Sequence, residues 1–184
     1  MSPVHELSPV LVIGTGLIGT SVALSLTRAG VEVLLSDADE ASLITAIDMG
    51  AGRSVAEGDA PTCVVVAVPP GQAAQVISAA SHTFPDATLT DVTSVKERVL
   101  EDAIVHGADP RRLVGGHPMA GREVSGPAGA RADLLDDRVW ILTPLTSSEV
   151  DHVRQAHRLV TACGAYAVEM DVREHDAAVA LVSH

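Results

Sequence analysis

Aromatic rings, lysine and long apolar runs are what this 184-residue sequence has least of. Phenylalanine, tryptophan and tyrosine occur once each, as Phe84, Trp140 and Tyr166, and Lys96 is the one lysine. Twelve Lys+Arg against 24 Asp+Glu give a formal net charge of −12. A nucleic-acid binder needs a basic stripe and often stacking rings, so no nucleic-acid partner is expected. An acidic surface is repelled by anionic membranes, and an anionic ligand would have to rely on local groups rather than the overall field. No apolar run reaches the roughly 18 residues of a membrane span. Residues 1–9 lack a basic stretch followed by an apolar core, so no secretory leader is expected. The two cysteines, Cys63 and Cys163, are far apart and show no CxxC or clustered Cys/His spacing. That argues against a disulfide framework and against a metal site. The resulting expectation is a cytoplasmic protein in a reducing setting.

Apolar residues make up 47% of the chain, an excess that suits either a fully buried parallel sheet or a surface meant for a partner. Short apolar runs alternate with helical patterns from start to end, which predicts an α/β fold with a doubly wound, mostly parallel sheet and helices on both faces. Strands are expected at residues 10–13, 31–37, 63–68, 88–91, 113–115, 139–142 and 166–170, with a weak one at 53–55. Helices are expected over 17–29, 39–49 and 71–81, then one opened by Ser94. Glu97, three residues after Ser94, would complete a capping box. A further helix, capped by Thr146 or Ser148, should run to Gly164. Asp171 and Glu174 then read as a new helix start, and the pattern reaches His184 with no glycine, proline or basic last turn. The expected organisation is a nucleotide-binding domain over residues 1–170. Residues 171–184 would be the first helix of a truncated second, helical domain.

The stretch Gly14-Thr15-Gly16-Leu17-Ile18-Gly19 matches GxGxxG, follows a strand and opens a helix, the context in which this motif binds a dinucleotide. Gly14 serves the tight turn, Gly16 lets the backbone approach a pyrophosphate, and Gly19 permits close helix–strand packing. The helix N-terminus offers unpaired N–H groups and partial positive charge to the phosphates. Asp37 ends the second strand, where a carboxylate accepts hydrogen bonds from a ribose and repels a 2′-phosphate. No arginine follows in residues 38–40, so NAD is expected rather than NADP. Asp39 reads as a helix cap.

Three further stretches fall at strand ends, where open α/β sheets bind ligands. They are Val66-Ala-Val-Pro-Pro70, Thr90-Asp-Val-Thr-Ser-Val-Lys96 and Gly115-Gly-His-Pro-Met-Ala-Gly-Arg-Glu123. Together with GTGLIGTS at residues 14–21 they resemble the prephenate/arogenate dehydrogenase family of tyrosine biosynthesis, over nearly the whole chain. Ser183-His184 also looks like the start of that family's SHxPH motif.

The resemblance implies NAD-dependent oxidative decarboxylation of prephenate, or of arogenate, and a homodimer formed through the helical domain. It implies that His117 is the catalytic histidine that accepts the substrate hydroxyl and that Ser94 hydrogen-bonds nearby. Val68, Pro69 and Pro70 would wall the cofactor cleft, and Glu123, Lys96 and His184 would face the substrate. Lys96 and Arg122 could attract carboxylates, although a surface position is the default for each. The other seven of the eight histidines are mostly expected at the surface. Two other readings stay open: a different dehydrogenase or imine reductase on the same fold, or a module that binds NAD without turnover.

Overall fold

The computed structural model describes residues 6–120 and 125–182. Five parallel strands form the main sheet: β1 (Val10–Ile13), β2 (Val33–Ser36), β3 (Arg53–Ser54), β4 (Cys63–Val66) and β5 (Thr88–Asp91). Their spatial order is β3-β2-β1-β4-β5. In register, Val10–Ile13 lies beside Val33–Ser36 on one side and Cys63–Val66 on the other. The connecting helices are α1 (Leu17–Arg28), α2 (Glu40–Asp48) and α3 (Pro70–Thr83), followed after β5 by α4 (Glu97–Val105). The expected doubly wound arrangement is therefore present.

A second sheet of three strands follows: β6 (Val114–Pro118), β7 (Val139–Pro144) and β8 (Tyr166–Glu169). β6 is antiparallel to β7, and β7 is parallel to β8 across the helix α5 (Val150–Ala162). A parallel bridge between Leu89 and Leu113 starts β6 beside β5. Past that bridge no backbone ladder joins the two strands among the described residues. The last helix, α6 (Val172–Val182), opens at Asp171, whose carboxylate accepts the Arg173 N–H (2.8 Å).

Strand alternation sorts the apolar residues onto two faces. Val10, Val12, Val33, Leu35, Cys63 and Val65 join α1 and α5 residues such as Leu26, Leu159 and Val160 in one core, which also buries Trp140. Leu11, Leu34, Val64 and Val66 join Ile77 of α3 and Leu100 of α4 in the other. Each large apolar side chain removed from water this way contributes about 1.5–3 kcal/mol. With both faces covered, the central strands have no polar side, which is why they read as unbroken apolar runs. Both cysteines are buried and free.

Two cap assignments are corrected. Ser94 does not open a helix, because α4 begins at Glu97, three residues later. The first N–H groups of that helix are instead taken by a carboxylate from another element, described below. Nor does Ser148 cap α5: its hydroxyl donates to the Leu113 carbonyl (2.6 Å) and accepts the Leu145 N–H (2.9 Å), tying the loop to β6. Asp39 does cap α2, accepting the Ser42 N–H at 3.2 Å.

Candidate active site

At the carboxyl ends of β1, β4 and β5 a cleft of about 510 Å³ opens between the glycine loop and β6. Gly16, Leu17 and Ile18 form one wall, Val68, Pro69 and Pro70 another. Thr93 and Ser94 form the floor with His117. The structure thus brings most of the sequence-predicted residues to one place. Glu123, Arg122 and His184 lie outside the described residues.

The glycine loop is shaped by contact distances. Gly14 has φ +101°, and a Cβ there would sit 2.3 Å from the Ala67 carbonyl oxygen. A Cβ on Gly19 would lie 1.9 Å from the Gly14 carbonyl oxygen, so the first turn of α1 could not seat on the loop. At Gly16, by contrast, a Cβ would meet nothing within 4 Å, and the space it would fill is the cleft. Gly16 is also the N-cap of α1, with no side-chain cap and no acidic residue in the first turn. The free N–H groups and the open approach fit the pyrophosphate of a dinucleotide.

Asp37 anchors the loop from the end of β2. One of its oxygens accepts the Thr15 N–H (2.5 Å) and the Thr15 hydroxyl (2.8 Å), and the other accepts the Asp39 N–H (2.8 Å). A carboxylate offers about four acceptor sites, so one remains for a ribose hydroxyl. Thr15 therefore acts through Asp37 rather than by lining the cleft.

Beneath the floor lies a buried polar cluster that the sequence did not announce. Lys96, expected at the surface or facing substrate, is fully buried. Its ammonium donates to the Asp91 carboxylate, to the Thr93 hydroxyl (3.0 Å) and to the Gly116 carbonyl (2.7 Å), so all three N–H donors are spent. Burial pulls this ammonium below the usual lysine range, and the Asp91 charge opposes that shift. Asp91 also accepts the Gly116 N–H (3.1 Å) and the Thr93 N–H (3.0 Å). The pair pins β6 to the end of β5, where a backbone ladder is missing. Gly116 makes this possible, since a Cβ there would lie 2.5 Å from the Asp91 carbonyl oxygen. Lys96 is a structural residue and not a substrate contact.

His117 projects from β6 into the cleft, half-buried. Its Nδ1 lies 2.9 Å from Nε2 of His175, and the two rings meet edge-to-face with centroids 5.2 Å apart. His175 belongs to α6 and is fully buried, which corrects the expectation of a surface histidine. Its Nδ1 in turn contacts Asp176 Oδ1 at 2.7 Å. Asp176 also accepts the Lys96 N–H and the Glu97 N–H, each at 2.9 Å, and so provides the cap of α4 that Ser94 was expected to supply. Burial raises the Asp176 carboxyl, but those two N–H groups and the His175 ring outweigh it and leave it below the ordinary carboxylate range. Desolvation, then the electrostatic influence of the neighbouring His175 and Lys96, pulls the His117 imidazole down to about 4. His117 is therefore neutral near pH 7 and can act as a base.

Sequence reasoning missed His175 and Asp176, although one signal was present. Val172, His175 and Val179 follow helical spacing, which places His175 on the stripe that turns inward. Ser94, freed from capping, is exposed at the cleft.

Comparison with known proteins extends this picture. The nucleotide-binding domain of prephenate dehydrogenase matches residues 22–169. A probable prephenate dehydrogenase, NovF, from Streptomyces niveus is 39% identical over 171 residues, covering 93% of this chain and 47% of that protein. Prephenate dehydrogenase from Aquifex aeolicus has a TM-score of 0.86 at 30% identity, over 95% of this chain and 66% of that one. That enzyme in complex with hydroxyphenyl propionate and NAD+ gives 0.82 at 28%, over 96% and 68%. Synechocystis arogenate dehydrogenase gives 0.85 at 25%, over 95% and 64%. The chain spans about half the length of the curated relatives it matches. With the family match covering most of its length, this chain belongs to the prephenate dehydrogenase family and carries its nucleotide-binding domain.

Proposed function

We propose that this chain is the NAD-binding, base-bearing part of an enzyme that oxidatively decarboxylates prephenate to 4-hydroxyphenylpyruvate. The observation that carries the reading is His117. Its Nδ1 is engaged by His175, and its other ring nitrogen is left for the cleft shared with the glycine loop. The N–H groups of residues 16–18 would hold the pyrophosphate, Asp37 the adenosine ribose, and Val68, Pro69 and Pro70 would wall the nicotinamide side. Asp37, with no arginine nearby in sequence, favours NAD over NADP.

Bound NAD supplies the hydride acceptor. His117 Nε2 accepts the hydrogen bond of the C4 hydroxyl and stabilises the positive charge that develops as the hydride leaves C4 with its electron pair. Carbon dioxide departs from C1, its bonding electrons enter the ring, and aromatisation drives the step. Atoms and charges balance without a further reagent. Ser94 lies at the same cleft and offers a second hydroxyl contact.

The substrate's two carboxylates need cations, and Lys96 is committed to Asp91. We therefore assign the carboxylate clamp to the remainder of the full-length enzyme, with Glu123 and His184 on the substrate side. In the same proposal, residues 1–170 are the nucleotide-binding domain and α6 begins a helical unit through which the enzyme dimerises. No helix of the described residues is long and apolar enough to cross a membrane, and a cytoplasmic enzyme is the setting we propose.

The test is the initial rate of the full-length enzyme at saturating NAD with prephenate and with arogenate, which differ only in a keto or amino group. NADH formation with prephenate is the expected result. Preference for arogenate would change the substrate assignment, and no NADH with either would overturn the reading.

A further inference from the structure

We infer that His175 and Asp176 are positioning residues that dictate which nitrogen of His117 carries its proton. The inference rests on the proposed function only for its catalytic consequence, since the arrangement of protons is a property of this chain itself.

The argument follows the hydrogen-bond chain outward from its charged end. Asp176 accepts two backbone N–H groups from the start of α4, so its carboxylate is held ionised and acts only as an acceptor. The contact of 2.7 Å between Asp176 Oδ1 and His175 Nδ1 then requires the proton to sit on His175 Nδ1. With its one proton on Nδ1, the imidazole form of His175 has a bare lone pair at Nε2. That lone pair faces His117 Nδ1 at 2.9 Å, and two lone pairs at this distance would repel. His117 must therefore carry its proton on Nδ1 and present a bare Nε2 to the cleft. This is the less common tautomer of a free histidine side chain, so the partner has to impose it.

The charged and titratable groups around His117 are Asp91 and Lys96 on the β5 side and His175 and Asp176 from α6. Lys96 and Asp91 neutralise each other through direct contact. The α6 pair is left as the group in hydrogen-bond contact with the ring. Because Asp176 also caps α4, the seating of α6 and the identity of the basic nitrogen are set by one carboxylate. A helix shifted off α4 would release His117 to its solution preference and turn its cleft nitrogen from acceptor into donor.

The experiment is nitrogen-15 NMR of the histidine rings in the 184-residue chain near pH 7, with His117 assigned by comparison with H117Q. We expect His117 as the Nδ1–H form in the unaltered chain. H175Q should keep it, because the amide oxygen can accept the same proton, while H175L should convert it to the Nε2–H form. D176A provides a second reading should H175L not fold, with far-UV dichroism and NAD affinity as the checks. It should populate the Nε2–H form, because no acceptor then holds a proton on His175 Nδ1 and that ring is free to donate from Nε2 to His117.

In the full-length enzyme, kcat of H175L should fall roughly 10²–10⁴-fold while NAD affinity holds, the loss a wrong tautomer causes. An Nε2–H His117 in the unaltered chain, or a tautomer unmoved in folded H175L or D176A, would overturn the inference. Tautomers that behave as expected in an enzyme that turns over neither prephenate nor arogenate would sink the functional reading and leave the inference standing.

Discussion

The two walls of the cleft are built in opposite ways. The glycine-loop wall comes from one stretch, residues 10–37, in which a strand, a tight turn, a helix and the next strand follow in sequence. The loop itself is closed within that unit by the Asp37 contacts to Thr15, while β1 also pairs with β4 and Gly14 approaches Ala67. The histidine wall is collected from three distant segments: Asp91 to Glu97, Gly116 to Pro118, and His175 with Asp176. The first wall is held by backbone geometry and the second by charged side chains buried in contact with one another. Local geometry tolerates change in neighbouring elements, whereas a buried charge network fails when any one member is lost.

That contrast can be sharpened by substitution. The largest effect is expected for His117→Asn in the full-length enzyme, whose turnover should fall roughly 10²–10⁴-fold with NAD affinity nearly unchanged. Stopped-flow or steady-state rates beside a nucleotide titration check both halves of the statement. The same residue carries a pH prediction. Its imidazole titrates at about 4, below the usual 6.5, so the folded chain binds fewer protons than the unfolded chain between those values. Stability contributed by neutral His117 is therefore complete above the unfolded value and is lost as pH falls toward 4. The acid limb of kcat/KM for the free enzyme should lie nearer 4 than 6.5, and a limb at an ordinary imidazole value would contradict the burial argument.

Next in size is Lys96→Met, which leaves Asp91 buried without its counter-ion and should cost about 3–5 kcal/mol. Urea unfolding of the chain measures this directly. A loss below about 1 kcal/mol would return Lys96 to the surface role that its residue type first suggested.

The smallest effect belongs to the locally built wall. Asp37→Ala should narrow the preference for NAD over NADP by roughly 1–3 kcal/mol, read from parallel cofactor titrations. Equal binding of the two cofactors by the unaltered chain would remove the reason for the assignment.

The strands, most helices and the glycine loop were legible because the forces that make them act within a few residues. Apolar runs such as Cys63 to Val66 signal burial on both faces, and a GxGxxG after a strand signals a phosphate turn. The places where the reading failed share one cause. Ser94 with Glu97 satisfied the local rule for a capping box, but Asp176 from α6 occupied the same N–H groups. Lys96 looked like a surface cation because lysine is seldom buried, and only Asp91, Thr93 and the Gly116 carbonyl together make its burial tolerable. His117 was found by the motif around it, while His175 lay in a helix whose spacing offered only a stripe.

What the sequence determined by itself is therefore the α/β alternation and the dinucleotide turn, since strand period, helix stops and glycine sterics are properties of neighbouring residues. What only the tertiary structure decided is the environment of the base. A lone imidazole has no fixed tautomer and no lowered pKa. Both arise from burial and from partners distant along the chain, among them His175, 58 residues away and brought within hydrogen-bond distance by the packing of α6.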